Sequence, residues 1–205
     1  LIAAGVRWRK LDADGADRFE SAGIHYACTS VEAMLYDTQD VAVVGAGNSA
    51  GQAAMFLAEC CRDRNVHLLV RRQLGRGMSD YLVNRIRAAA NIAVHEGVEV
   101  AAVHGSRRLE GATLRRFQPG AAAENGAAQE NAGADETIPL SAMFVFIGAE
   151  PGCAWLPQDV ARDPLGYILT GVDVLRSRRW PLTDREPCPL ESSVPGILAA
   201  GDIRS

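Results

Sequence analysis

The segment from Val41 to Arg62, "VAVVGAGNSAGQAAMFLAECCR", constrains the fold more than any other part of the chain. Its first four residues form an apolar, β-branched-rich run, the pattern of a short strand buried on both faces of a parallel sheet. A glycine-rich turn follows at once. Asn48 or Ser49 can then cap a helix whose apolar positions Ala53, Phe56, Leu57 and Cys60 recur at helical spacing, and the pattern predicts a helix from about Ser49 to Arg62.

The same alternation continues downstream. "VHLLVRR" reads as a second buried strand, Ser79 can cap a helix through "DYLVNRIRAAA" with Leu82, Val83 and Ile86 as its apolar stripe, and "NIAVHEG" reads as a third strand. "VEVAAVHG", "ATLRRFQ" and "IPLSAMFVFIG" then read as strands with no helix between them, which predicts an antiparallel meander whose last strand returns to the parallel sheet. The expected fold class is α/β, a Rossmann-like three-layer nucleotide-binding domain carrying a β-meander. Pro119 to Glu136, "PGAAAENGAAQENAGADE", has no aromatic or β-branched residue with which to bury itself. It is expected to be a mobile hairpin loop, and its irregularly spaced acids do not suggest a metal site.

Composition narrows the partners. With 48% hydrophobic residues among 205, the chain can bury an ordinary core, and a net charge of −4 gives no basic surface for nucleic acid. No apolar run approaches the roughly 18 residues that a membrane span needs, and the start of the chain has no signal-peptide order, so no membrane partner and a cytoplasmic location are expected. Cys28, Cys60, Cys61, Cys153 and Cys188 show neither CxxC nor paired metal-ligand spacing. Neither a disulfide framework nor a metal is therefore expected. The ends, "LIAAG" and "GILAAGDIRS", look like cuts through a larger protein.

The turn itself carries chemistry. Gly45-Ala46-Gly47-Asn48-Ser49-Ala50 has the GxGxxG/A form: the first glycine permits the tight turn, the second lets the backbone approach a pyrophosphate, and the third small residue lets helix pack on strand. Taken alone the motif also suits a ligand-free strand-helix turn; its place between a buried strand and a helix favours a dinucleotide held by helix amides. At the end of the second strand, where an acid would bind the ribose hydroxyls of NADH, stand Arg71 and Arg72, with Arg76 four residues on. Guanidinium groups there suit a 2′-phosphate, so NADPH is expected rather than NADH, although such residues can also form a solvated basic face.

Five motifs in order resemble the low-molecular-weight thioredoxin reductases, a family of FAD- and NADPH-dependent flavoproteins: "AAG" at Ala3 to Gly5, "VAVVGAGNSA", "VHLLVRR" with Arg76, "FVFIGAEP" and "SVPGILAAGD". The resemblance implies an NADPH domain, residues 16–148, inserted between partial FAD-domain segments at 1–15 and 149–205. It implies a homodimer in the full-length protein, hinges at the crossings near Gly23 and Gly148, a cofactor contact at Gly148, an FAD ribitol contact at Asp202 and a close backbone approach at Gly201. The FAD domain's own N-terminal GxGxxG is absent, so this chain alone is expected to bind FAD poorly and to be inactive by itself. "GIHYACTSVEA", "GNSAGQAAMFLAE" and "RRWPL" resemble a branch of the family often joined to a regulatory domain and lacking the redox CxxC.

In that alignment Cys28 takes the first active-cysteine position and Val31 the second, so C-T-S-V replaces C-x-x-C. A dithiol relay needs an attacking and a resolving thiol, and valine can be neither. Cys28 is either a one-cysteine nucleophile, helped by His25 if the segment is helical, or a small apolar filler near the flavin. Glu32 is either a proton donor or a solvated helix carboxylate. The expected chemistry is hydride transfer from NADPH to FAD and onward to an unknown acceptor. Two other readings stay open: disulfide reduction through Cys28 or Cys60, and a non-catalytic NADPH-sensing module.

Overall fold

The computed structural model describes residues 1–117 and 135–204. In chain order its elements are β1 (Val6–Trp8), β2 (Ile24–His25), α1 (Ser30–Leu35), β3 (Val41–Val44), α2 (Asn48–Cys60), β4 (Val66–Val70), α3 (Asp80–Ala88) and β5 (Ile92–Glu96). There follow β6 (Val98–His104), β7 (Gly111–Arg116), β8 (Glu136–Pro139), β9 (Ala142–Val145), β10 (Ala149–Pro151) and α4 (Val172–Arg176). The loop expected over Pro119 to Glu136 lies outside the described residues except for Asp135 and for Glu136, which opens β8.

The chain divides into two compact units, Lys10–Ile147 and Leu1–Arg9 with Gly148–Ser205. The first division falls earlier than the expected 15/16 boundary, because residues 10–15 bond to the larger unit. The Leu11 amide donates to Tyr26 Oη at 3.0 Å, the Asp14 amide donates to the Ala101 carbonyl, and the Asp14 carbonyl accepts from Val103. Gly23, expected at a crossing, lies inside the larger unit, where a Cβ would collide with that of Leu109.

In the larger unit, five parallel strands stand in the order β2-β9-β3-β4-β5, and β6-β7-β8 form a separate antiparallel meander. Side chains of a strand alternate between faces, which places two cores on the sheet. Val41, Val43, Val66, Leu68 and Val70 pack with apolar residues of α1, α2 and α3. Ala42, Leu69, Met143 and Val145 pack with Val100, Leu114 and Ile138 of the meander. The result is a helix, sheet and meander sandwich, the expected three-layer α/β arrangement. The strand "IPLSAMFVFIG" is two strands: β8 closes the meander, and β9 returns to the centre of the parallel sheet beside β3.

α2 begins at Asn48 and ends at Cys60, two residues short of the predicted end, where Cys61 turns extended. The reason lies in Asn91, whose amide donates to the carbonyls of Ala58 and Arg64 at 3.0 and 3.1 Å and so satisfies the departing chain. Arg64, 1% exposed, extends this capping. Its Nη1 donates to the Leu57 carbonyl at 3.1 Å, and its Nη2 donates to the carbonyls of Ala33 and Tyr36 at 2.6 and 3.1 Å. A six-residue helix such as α1 has no stability of its own, so a buried cation on its last carbonyls is a large part of what holds it.

The smaller unit pairs β1 with β10, from Val6 opposite Pro151 to Trp8 opposite Ala149, over a core that includes Ile2, Ile168, Ala199 and Ile203. Glu191, 3% exposed, accepts from both Nη atoms of Arg185 at 2.8 Å and from the amides of Cys188 and Gly196 at 2.9 and 2.7 Å. The Arg185 guanidinium and these two amides hold its carboxyl far below the usual range. The clasp fixes the turn that leads into Leu198–Gly201. Among the described residues no helix is long and apolar enough to cross a membrane.

Arg64→Ala is expected to lower stability by about 3 kcal/mol, since it leaves buried carbonyls without donors, and Arg64→Lys should recover only part of that loss. Urea unfolding of the three chains checks both.

Candidate nucleotide-binding site

β3 delivers the chain to the cradle. The Gly45 amide donates to the Leu69 carbonyl at 3.1 Å, and the Phe146 amide donates to the Val44 carbonyl at 2.8 Å, which locks the turn against β4 and the end of β9. Gly45 has φ 147°, and a Cβ there would lie 2.5 Å from the Phe146 carbonyl oxygen and 3.0 Å from Ala50 Cβ, so no other residue fits. Gly47 is different. Its φ of −91° and ψ of 176° suit any residue, and the nearest protein atom to a Cβ there is the Gly77 carbonyl oxygen at 3.9 Å. The glycine therefore keeps a space open beside the backbone that no atom of the described residues fills.

That space adjoins the start of α2, whose N-cap, Gly47, carries no side-chain acceptor. Amides of the first turn, at Asn48, Ser49 and Ala50, point toward the N-terminal end of the helix, where its dipole favours an anion. Ala50 is fully buried against the turn, while Asn48 and Ser49 are exposed. The Asn48 side chain also braces the site, since its Oδ1 accepts from the Ser79 amide at 2.8 Å, and Gly47 forms a parallel bridge with Gly77. These contacts join the cradle to the loop after β4.

That loop holds the three arginines, and the structure sorts them. Arg71 Nε lies 3.8 Å from Glu99, and its guanidinium stands 5.9 Å from the centre of the Phe117 ring. Arg72 and Arg76 are exposed, and among the described residues neither guanidinium has a hydrogen bond or ion pair. The cradle and two unpaired guanidinium groups thus share one end of the parallel sheet, a donor set suited to a dinucleotide bearing an additional phosphate.

The remaining expected cofactor residues, Gly148, Gly201 and Asp202, belong to the smaller unit. Gly201 follows the segment that bridges Ile2 to Ala199 and Glu191 to Leu198, and a Cβ on it would meet nothing within 4 Å. Asp202 is exposed beside it. An open backbone next to an accessible carboxylate fits a hydroxyl-bearing group such as the ribitol of FAD.

Residues 1–205 match the family described as pyridine nucleotide-disulphide oxidoreductase. The chain belongs to this family. It is 30% identical over 206 residues to a thioredoxin reductase of Mycoplasma pneumoniae, covering 100% of this chain and 55% of that protein. It is 27% identical to an NADH dehydrogenase of Bacillus subtilis strain 168, covering 98% of this chain and 33% of that one. The crystal structure of T. acidophilum thioredoxin reductase matches with a TM-score of 0.72 at 22% identity, over 100% of this chain and 57% of the other. The chain thus spans between a third and about half of these relatives' length.

In this member of the family the region around Cys28 does not form the helix that would bring His25 to the thiol. His25 lies in β2, its Nε2 2.9 Å from Tyr36 Oη and its ring stacked on Phe144. α1 starts only after Thr29, whose hydroxyl accepts from the Val31 amide at 3.3 Å while the Glu32 carboxylate accepts from the Thr29 amide at 3.0 Å. Glu32 is therefore a capping carboxylate, held below its usual pKa by the Thr29 hydroxyl first of all. Cys28 is half-buried among apolar neighbours of the helix-side core. Burial, helped by the charges of Glu32 and Cys60 and only partly offset by Arg64, pushes its thiol up to about 11. Such a thiol is protonated near neutrality and is a weak nucleophile.

Two outcomes follow from this geometry. Gly47→Ala should fold with stability within about 0.5 kcal/mol of the parent, because its backbone angles and surroundings admit a methyl group, yet lose nucleotide binding; thermal unfolding and calorimetry separate the two effects. Alkylation of Cys28 by iodoacetamide, followed site by site by mass spectrometry, should stay slow through neutral pH and climb only as pH approaches 11.

Proposed function

We propose that this chain is the NADPH-binding domain, with flanking parts of the FAD domain, of a flavoprotein oxidoreductase that takes hydride from NADPH and delivers electrons to an acceptor without a CxxC dithiol. The observation that carries this reading is the open backbone at Gly47, set at an uncapped helix start and joined through Gly77 to a loop with two unpaired arginines. The amides of Asn48, Ser49 and Ala50 would hold the pyrophosphate, and Arg72 and Arg76 the 2′-phosphate. Arg71, engaged by Glu99, would add long-range attraction.

In the complete protein Gly201 and Asp202 would contribute to holding FAD, which when bound supplies a two-electron acceptor for the hydride and a donor for the next step. The chain's own part is to bind and orient the nucleotide. A relay through Cys28 is disfavoured because Val31 replaces its resolving partner and burial keeps its thiol protonated. The acceptor would therefore have to meet the flavin directly, with no thiol of this segment between them. Relatives named as a thioredoxin reductase and as an NADH dehydrogenase share this scaffold, consistent with an acceptor chosen outside the nucleotide cradle.

Calorimetry on the chain should show NADPH binding at least about tenfold tighter than NADH, and Arg72→Ala or Arg76→Ala should remove most of that difference, as expected for loss of a charge-assisted bond. Equal affinities for the two nucleotides would reject the NADPH assignment. The complete FAD-loaded protein should oxidise NADPH with quinone or ferredoxin acceptors at a rate that Cys28→Ser leaves unchanged. Turnover confined to disulfides and abolished by Cys28→Ser would instead favour a one-cysteine reductase, and turnover no faster than reaction with oxygen would favour a nucleotide sensor.

A further inference from the structure

We propose that Glu96 is a positioning residue that sets nucleotide preference, by fixing the backbone of the loop from Arg72 to Arg76; this rests on the NADPH reading above. Glu96 is the last residue of β5, in register with Val70 at the end of β4, and so stands beside the point where the arginine loop begins. Its Oε1 accepts from the Leu74 amide at 3.0 Å. The neighbouring Gly97 amide donates to the Arg72 carbonyl at 3.1 Å. Glu96 and the residue that follows it therefore grip the loop, one through a side chain and one through the backbone.

The other anchors complete the arrangement. Leu74 is 5% exposed and packs in the helix-side core, Gly77 bridges to Gly47, and the Ser79 amide is held by Asn48. Gln73 and Arg76 project into solvent between these fixed points. Arg72 and Arg76 flank the amide that Glu96 holds. Releasing Leu74 would free the stretch between Arg72 and Gly77, so that the two guanidinium groups would have to be ordered at the moment of binding. The nucleotide's other half is spared, because Gly47 and Asn48 are held by their own bonds to Gly77 and Ser79.

A carboxylate beside this loop also opposes a phosphate electrostatically, so the acceptor role and the charge can be separated by substitution. Glu96→Gln keeps an oxygen for the Leu74 amide and drops the charge; Glu96→Ala removes both. The experiment measures NADPH and NADH affinities by calorimetry on the unsubstituted chain and both variants, together with amide hydrogen exchange of residues 72–77 without nucleotide. Expected results are a roughly tenfold loss of NADPH affinity in Glu96→Ala with NADH affinity unchanged, faster exchange at Leu74 in that variant, and NADPH affinity in Glu96→Gln equal to or above that of the parent. An NADPH preference that survives Glu96→Ala, or an equal loss for both nucleotides, overturns the proposal while leaving the NADPH reading in place. Equal affinities in the unsubstituted chain overturn the NADPH reading and this proposal together.

Discussion

The tight approach of Gly45 to the Phe146 carbonyl is the constraint on which the rest of the larger unit depends. β9 runs beside β3 with Val44 opposite Val145, so the chain leaving β9 occupies the place where a side chain at position 45 would stand. A glycine lets β3 turn without displacing that neighbour, and the turn then carries α2 back across the sheet with Ala50 packed against it. Were the two chains pushed apart by a methyl group, the central pair of the five-stranded sheet would lose register at its end, and with it the direction of the helix start. The geometry of the candidate anion site is a consequence of sheet packing.

A second set of contacts determines what happens where a dithiol would stand. α1 is only six residues long, and it exists because Thr29 and Glu32 cap one end while the buried Arg64 guanidinium gathers carbonyls at the other. Val31 stands in its first turn at 66% exposure, whereas Cys28 lies before the cap and half within the core. The two positions that a disulfide would join are thus in different environments, one outward and apolar, one inward and protonated. This arrangement is that of a packed segment.

Much of the site was legible along the chain because it is local. The run "VAVV", the two glycines and the small residue at position 50 lie within ten residues, and their meaning follows from strand periodicity, the φ that Gly45 must adopt and the space that Gly47 leaves. The meander was legible in the same way, from alternation without helical spacing. The division of the arginines was not. Arg71, Arg72 and Arg76 are chemically alike, and only the arrival of Glu99 and Phe117 from the meander takes one of them and leaves the others facing solvent.

By itself, then, the sequence determined the α/β order and the strand-turn-helix cradle, because each depends on neighbours in the chain and on the stereochemistry of single residues. The tertiary structure alone decided that residues 10–15 side with the larger unit, that Asn48 reaches Ser79, that Arg64 is a buried cap and that Glu96 grips Leu74. Each of those depends on which donor or acceptor a distant segment brings within about 3 Å, a distance that folding sets and spacing along the chain does not.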